Sequence, residues 1–433
     1  MSIRKFLNLN AKNRSGETMW SKTNHEVPKL EFENRIERVR SFAIKHDLSG
    51  VVVYSAPKIH QWNQTGHVGY LTNWSNLDRI VDAMVVVPVK GKASLLVAGV
   101  EYMLDQIEEV SWIGEVRLVS SPDPRSISSS FDASIVGEDT NQGVHSFGAQ
   151  IREILDATGS GGRPIGISGL EALPVNIYHD LKVNLKDQIA QVPDIVAELR
   201  QYKTVQELVL MKRVAAISDS SYQRMLEVLS EGIWGYELTA EMDCVAKRQG
   251  ADFVYHCMHS APGNNLKAGK LSVKSHDCQL KRGDYINVNA YVVYKGYWIQ
   301  SDRAGTIGSS LDRATLKMVE PNLQVQNEVL KAIRPGLSIN ELINVGNKAA
   351  ARFGFEIQGG RIGHGQGLDY SERPFLLAGS QEILQPGHVF VLHVCLGEPG
   401  GTLLINPIAD LCHVTADGVE VLNRFPRELF HVE

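Results

Sequence analysis

Apolar and polar residues change period several times along this chain, and each change marks an element. Between 286 and 294 β-branched and aromatic residues dominate, Lys295-Gly296 offers a tight turn, and 297–307 returns in the same style. A β-hairpin is therefore expected within 283–308, with Asn289, Gln300 and Asp302 set among apolar and aromatic neighbours. Upstream, 30–47 carries Phe32, Ile36, Val39, Phe42 and Ala43 at helical spacing. Short apolar runs at 50–54, 83–89, 93–98, 116–120 and 165–169 read as strands, and helices are expected around 141–157 and 174–184. Such alternation implies an α/β layer domain. The organisation changes at 192–202, after which Thr204 and Glu207 form a capping box for a long helix ending near residue 229.

Repetition adds a second signal. Residues 231–250, EGIWGYELTAEMDCVAKRQG, align without a gap onto 335–354, PGLSINELINVGNKAAARFG, at an offset of 104. Gly232 meets Gly336, Glu237 meets Glu341, and Gly250 meets Gly354. Two halves, each a helix pair with antiparallel strands, would build a pseudo-symmetric sheet with a site between them. Two other stretches lack a clear period. Residues 1–30 read either as an extended arm or as a frayed terminus. The stretch 60–74, HQWNQTGHVGYLTNW, crowds His60, Trp62, His67 and Trp74 into one loop-like segment, fit either for a ligand or for an ordinary interface.

Composition narrows the function class. At 433 residues, 43% hydrophobic and 21% charged, the chain has the makings of two globular domains with a large core. A net charge of −5 with no basic block argues against a nucleic-acid partner. No apolar run approaches the roughly 18 residues of a membrane span, and the start shows no secretory pattern, so a cytoplasmic location is expected. The five cysteines include no C-x-x-C pair and read as reduced thiols.

The hairpin GDYINVNAYVVYKGYWIQSDRAGTIG resembles the first metal-ligand hairpin of the methionine aminopeptidase, prolidase and creatinase superfamily, peptidase family M24 with the pita-bread fold. There GD-x-V, D-x-G, GY and D-x-x-R recur in this order. GHGQG at 363–367 is similar to the family's G-H-G-x-G, GHVFVLHVCLGEP to G-M-V-F-x-x-E-P, and ADLCHVTADGVEVL to E-D-x-V-L-V-T-E-D-G. Arg200, Lys203 and Glu207 match the start of the catalytic domain. The resemblance implies an α+β protein: a pita-bread catalytic domain over 196–433, preceded by a smaller α/β creatinase-type domain over 31–195 and an arm over 1–30. It also puts Asn289, Gln300, His364, His393 and Ala409 on the five ligand positions, only one of which keeps its residue type. Hard dications prefer carboxylate oxygens, so neither a metal nor another cofactor is expected.

That loss moves the comparison towards the metal-independent enzymes of the superfamily, creatinase and ectoine hydrolase, which act as homodimers on small molecules. By this resemblance Asp302 matches an active-site carboxylate and would hold a cationic substrate group. Arg373 matches the arginine for a substrate carboxylate, and Glu372 beside it is likewise placed in the substrate site. One of His364, His393 or His276 would activate water; Asn289 and Gln300 would orient polar groups, and His60 and Trp62 would reach a neighbouring subunit's site. His256 and His259 are a weaker pair, better read as packing than as ligands. The expectation is a hydrolase of non-peptide C–N bonds in a small zwitterion. The alternatives are a lyase, a non-catalytic binding module or, least favoured, an Xaa-Pro metallopeptidase.

Overall fold

Strand and helix signals that rest on local chemistry are met closely. The computed structural model describes residues 27–56, 66–74, 81–99, 102–120, 146–186, 188–266, 270–272, 277–308, 311–401 and 406–433. The chain divides into two units, Met1–Ala197 and Glu198–Glu433. Almost all of the expected arm lies outside the described residues, as do His60, Trp62 and His276.

The first unit is a six-stranded sheet in the order β4-β3-β2-β1-β5-β6. Its strands are β1 (Gly50–Ser55), β2 (Ala83–Pro88), β3 (Ser94–Val97), β4 (Val116–Leu118), β5 (Ile165–Ser168) and β6 (Ile189–Ala190). β1 is buried along its whole length, pairs antiparallel with β2 and parallel with β5, and so reads as a continuous apolar run. Helices α1 (Lys29–Lys45), α2 (His67–Thr72), α3 (Tyr102–Val110), α4 (Phe147–Ala157) and α5 (Val175–Leu185) accompany the sheet. The end of the loop-like stretch 60–74 is in fact helical: the Val68 N–H donates to Ser55 Oγ at 2.8 Å, and buried His67 meets Asp194 Oδ2 at 3.0 Å. His67 is thus committed to packing inside its own unit.

The second unit is built twice. In its first half α6 (Val205–Val228) and α7 (Gly235–Arg248) precede β7 (Phe253–Pro262), β8 (Lys270–Ser272), β9 (Asp284–Tyr294) and β10 (Tyr297–Ile307). In its second half α8 (Arg313–Ala332) and α9 (Ile339–Ala351) precede β11 (Glu356–Ile357), β12 (Arg361–Gly365), β13 (Glu372–Leu377), β14 (Val389–Leu392), β15 (Leu396–Gly397) and β16 (Ile408–Val414), followed by β17 (Val419–Val421) and β18 (Phe430–Val432). One sheet runs β13-β12-β14-β16-β10-β9-β7-β8, with β17 on β16 and β18 on β10; β11 and β15 pair separately. The repeat survives in detail. Gly232 N donates to Leu280 O and Gly336 N to Leu384 O, at 2.8 and 2.9 Å, with φ of 86° and 82° at the two glycines. Glu237 and Glu341 each accept the N–H three residues back, that of Trp234 and of Ser338. A side chain at either glycine would be strained in that left-handed backbone.

Local signals explain the rest. Thr204 and Glu207 cap α6 reciprocally, and Glu207 also accepts the Tyr297 hydroxyl at 2.9 Å, tying helix to hairpin. Lys295 and Gly296 both have positive φ, 48° and 79°, the backbone of a two-residue hairpin turn.

Candidate active site

Register decides which residues share a face. Across the sheet Cys257 pairs with Asn289, Asn289 with Asp302, Asp302 with Ala409, and His364 with Val391. Because side chains alternate along each strand, Tyr291 and Gln300 join that face, and His393, two residues beyond Val391, joins it too. The opposite face belongs to the helices: Ile286, Val288 and Ala290 pack in one apolar cluster with α6 and α7, and Phe390, Leu392 and Cys412 in another with α8 and α9. Most of the sheet's polar chemistry therefore collects on the open face. Asn289, Tyr291, Arg361, Tyr370 and His393 there are half-buried and lead from solvent to Asp302 and His364, which are fully buried.

Asp302 is the centre of this face. Its two carboxylate oxygens accept the side-chain amides of Asn289 and Asn406. Asp302 pairs with neither Arg303 nor Arg373. Arg303 turns away to Asp410 at 2.7 Å, and Asp410 also meets Arg427 at 2.7 Å. No cation pairs with Asp302 among the described residues. Burial consequently pushes its carboxyl up to about 7, although the Asn289 amide and the Arg303 charge pull the other way.

His364 and His393 stand with ring centroids 5.3 Å apart, and Tyr370 lies 5.1 Å from His364. His364 Nδ1 lies 3.1 Å from the Gly365 carbonyl, a bond it can make only by donating its proton. That leaves Nε2 as the basic nitrogen, and it has no hydrogen-bond partner. Burial, then the neighbouring His393 and Arg361, hold His364 well below the usual histidine range, and burial with Arg361 pushes His393 down to about 4. Both rings are neutral at pH 7. The flanking glycines serve close packing: a Cβ on Gly363 would collide with the Val391 carbonyl and one on Gly365 with the Arg373 carbonyl.

The structure thus brings Asn289, Gln300, Asp302, His364 and His393 to one face. It does not bring Glu372 and Arg373 there as free groups. Glu372 is buried in an ion network with Arg200 and Lys203, and Arg200 also holds Asp369 at 2.7 Å. Arg373 is exposed on β13 and paired with Glu382. Both assignments to the substrate are corrected on that ground: these charges are already neutralised by protein partners. His256 bonds Asp243 at 2.6 Å, which fits the packing role. Sequence reasoning passed over Tyr370, whose hydroxyl donates to Gln300 Oε1 at 2.6 Å, as well as Tyr291, Arg361 and Asn406. The repeat offered a signal for the last: Asn406 follows Asp302, and His393 follows Asn289, by the repeat's own spacing of 104.

A fold of this kind raises the question of a metal pair, which donor chemistry answers. The five positions hold two amides, two imidazoles and a methyl group, with no carboxylate to bridge two ions. Asn289 spends its NH2 on Asp302 and accepts the Cys257 thiol at 3.3 Å on its oxygen, and the Gln300 oxygen is taken by Tyr370. Among the described residues no cluster of three or more His, Cys, Asp or Glu could hold a metal ion. The donor set does not fit a dinuclear centre.

The second unit has the pita-bread fold and follows an α/β unit in the chain. Residues 209–416, within the C-terminal unit, match metallopeptidase family M24. Among similar proteins, the Xaa-Pro dipeptidase of Pyrococcus horikoshii is 24% identical over 271 residues, covering 60% of this chain and 74% of the relative. That of Pyrococcus furiosus is 24% identical over 287 residues, covering 65% and 78%. The crystal structure of the Pyrococcus horikoshii prolidase matches 92% of this chain and all of its own, with a TM-score of 0.71 at 20% identity. The Xaa-Pro dipeptidase from Bacillus anthracis matches 93% with a TM-score of 0.72 at 19% identity. These likenesses confirm the pita-bread fold. They also overturn the expectation of a metal-independent, creatinase-like enzyme for non-peptide C–N bonds, since the relatives are dipeptidases of a metallopeptidase family. Family and donor set therefore disagree in this chain. No helix among the described residues is long and apolar enough to cross a membrane.

Proposed function

We propose that the C-terminal unit hydrolyses the amide bond of small dipeptides, the substrates named for its Xaa-Pro dipeptidase relatives. One observation carries this reading: a buried carboxylate without a counter-ion, Asp302, shares a face with two neutral imidazoles whose Nε2 atoms have no partner. An α-ammonium supplies the missing positive charge, and Asn289 and Asn406 keep the carboxylate aimed at it. His364 Nε2 then takes a proton from water as the water oxygen bonds the substrate carbonyl. The C–N bond breaks, and that proton passes to the departing nitrogen. Tyr370 and Gln300, hydrogen-bonded to one another, flank the reacting group. The small-molecule substrate and the homodimer expected from the sequence are kept in this reading; light scattering checks the dimer.

The test is release of free amino acids from Ala-Pro, Gly-Pro, Leu-Pro and Ala-Ala by the full chain, each with and without added Mn2+, Co2+ or Zn2+. Cleavage abolished by Asp302→Asn supports the reading. Absence of cleavage for every dipeptide under every condition would overturn it.

A further inference from the structure

Gln326, in α8, is buried, and its Nε2 is shared among three acceptors: Asn322 Oδ1 at 3.1 Å, Asn406 Oδ1 at 3.3 Å and the Ile408 carbonyl. Its Oε1 has no hydrogen-bond partner. Reversing the amide would set that oxygen against the same three acceptors, so the polarity of Gln326 is fixed. The repeat shows what is particular to this residue. Asn322 and Gln326 follow Ser218 and Tyr222 of α6 by the same 104 residues. All four reach from a helix into the sheet: Ser218 meets Ser301 Oγ, Tyr222 donates to the Val288 and Ser301 carbonyls, and Asn322 and Gln326 donate to those of Val394 and Ile408. Among the described residues, Gln326 alone of the four bonds a side chain, Asn406, that in turn bonds Asp302.

Asn406 is held by backbone and by side chain. Its carbonyl accepts Asn287 Nδ2 at 2.6 Å, which fixes its place against β9. Its Nδ2 donates to Asp302 Oδ2 while its Oδ1 accepts from Gln326. Reversed, the Asn406 amide would press Oδ1 on the carboxylate and Nδ2 on Gln326 Nε2, and two repulsive contacts would replace two hydrogen bonds. Asp302 does not enforce that choice alone, because a protonated carboxyl donates as well as accepts and so bonds either end of an amide. Gln326 does, because its Nε2 only donates. We propose that Gln326 is a positioning residue for Asp302: acting through Asn406, it fixes which end of that amide faces the carboxylate and so keeps both carboxylate oxygens aimed at the substrate. The role rests on the reading of Asp302 as the group that meets the substrate's ammonium; Gln326 itself touches neither.

Two measurements on the full chain keep this role apart from the dipeptide reading. Without substrate, isotope-edited NMR follows hydrogen exchange of the Asn406 side-chain NH2, assigned by its absence in Asn406→Ala. Gln326→Met, close in volume but without a donor, should speed that exchange by about 10-fold, the worth of one hydrogen bond. In Ala-Pro hydrolysis the same variant should raise KM by about 10-fold and change kcat by less than about twofold, because a misaimed carboxylate weakens binding. A merely structural loss would instead lower the active fraction, and with it kcat, at unchanged KM. In a double-mutant cycle the KM effect of Gln326→Met should disappear once Asn406→Ala is present. Circular dichroism confirms folding, and Gln326→Leu replaces the methionine variant where that one is unfolded. Unchanged Asn406 exchange in the variant, or a KM effect that persists beside Asn406→Ala, overturns the role of Gln326 and leaves the dipeptide reading in place. Absence of cleavage by wild type overturns that reading, and the exchange measurement then decides on Gln326 by itself.

Discussion

Asp302→Asn separates what the carboxylate does to stability from what it does for function. In the fold, burial holds its proton up to about pH 7, whereas an ordinary aspartate in the unfolded chain releases it near 3.8. Between those values the native state binds the extra proton, so stability falls as pH rises through the window. The cost is about 1.4 kcal/mol per pH unit, and about 4 kcal/mol across the window. Below it both states are protonated and no penalty exists; above about 7 the whole penalty stands. Asparagine has no such proton. Its NH2 would face the amides of Asn289 and Asn406, which adds an offset of about 1–3 kcal/mol that is the same at every pH. The variant should therefore gain about 4 kcal/mol relative to wild type between pH 4 and pH 8 while losing turnover. Urea unfolding at five pH values, with hydrogen exchange of the β10 amides reporting on this unit, measures the difference. A difference independent of pH would refute the idea that Asp302 is buried without a counter-ion.

Other perturbations test the supporting structure. Lys203→Met leaves a buried cluster of two anions facing one cation and should cost about 3–5 kcal/mol in thermal unfolding; adding Glu372→Gln restores balance and should recover much of the loss. Burial pushes His388 down to about 4, so its contribution is fully present above about pH 6.5 and is lost as pH falls towards 4. His388→Gln should flatten the acid limb of the stability curve by up to about 1.4 kcal/mol per pH unit. Gly363→Ala forces β12 off the Val391 carbonyl and should destabilise by about 1–3 kcal/mol, with turnover falling further as His364 moves.

What the sequence disclosed follows from how local each cause is. The hairpin turn, the Thr204–Glu207 cap and the repeated Gly–Glu punctuation depend on a few neighbouring residues, and each stands where its spacing placed it. Ion pairing is different. Arg303 finds Asp410 across 107 residues and Lys203 finds Glu372 across 169, so matching Glu372 and Arg373 to a family motif could not show that their charges were spent. The unpartnered Nε of Arg361 is harder still to read, because a missing partner is known only once the surroundings are placed. The functional error had another origin. Losing carboxylates at the ligand positions says what a site fails to hold, and resemblance to metal-free enzymes does not say which substrate it takes instead. Asn406 was within reach, since applying the repeat spacing to Asp302 lands on it.

The two halves of the C-terminal unit are joined through one strand: β10 pairs with β16 at Asp302 and Arg303, opposite Ala409 and Ile408, and with β18 at Gly305, Thr306 and Ile307. Asp302 thus stands on the strand to which both halves are bonded, and a ligand held there would brace the join. Dipeptide-dependent protection of the Asp302 and Ala409 amides from hydrogen exchange would report it.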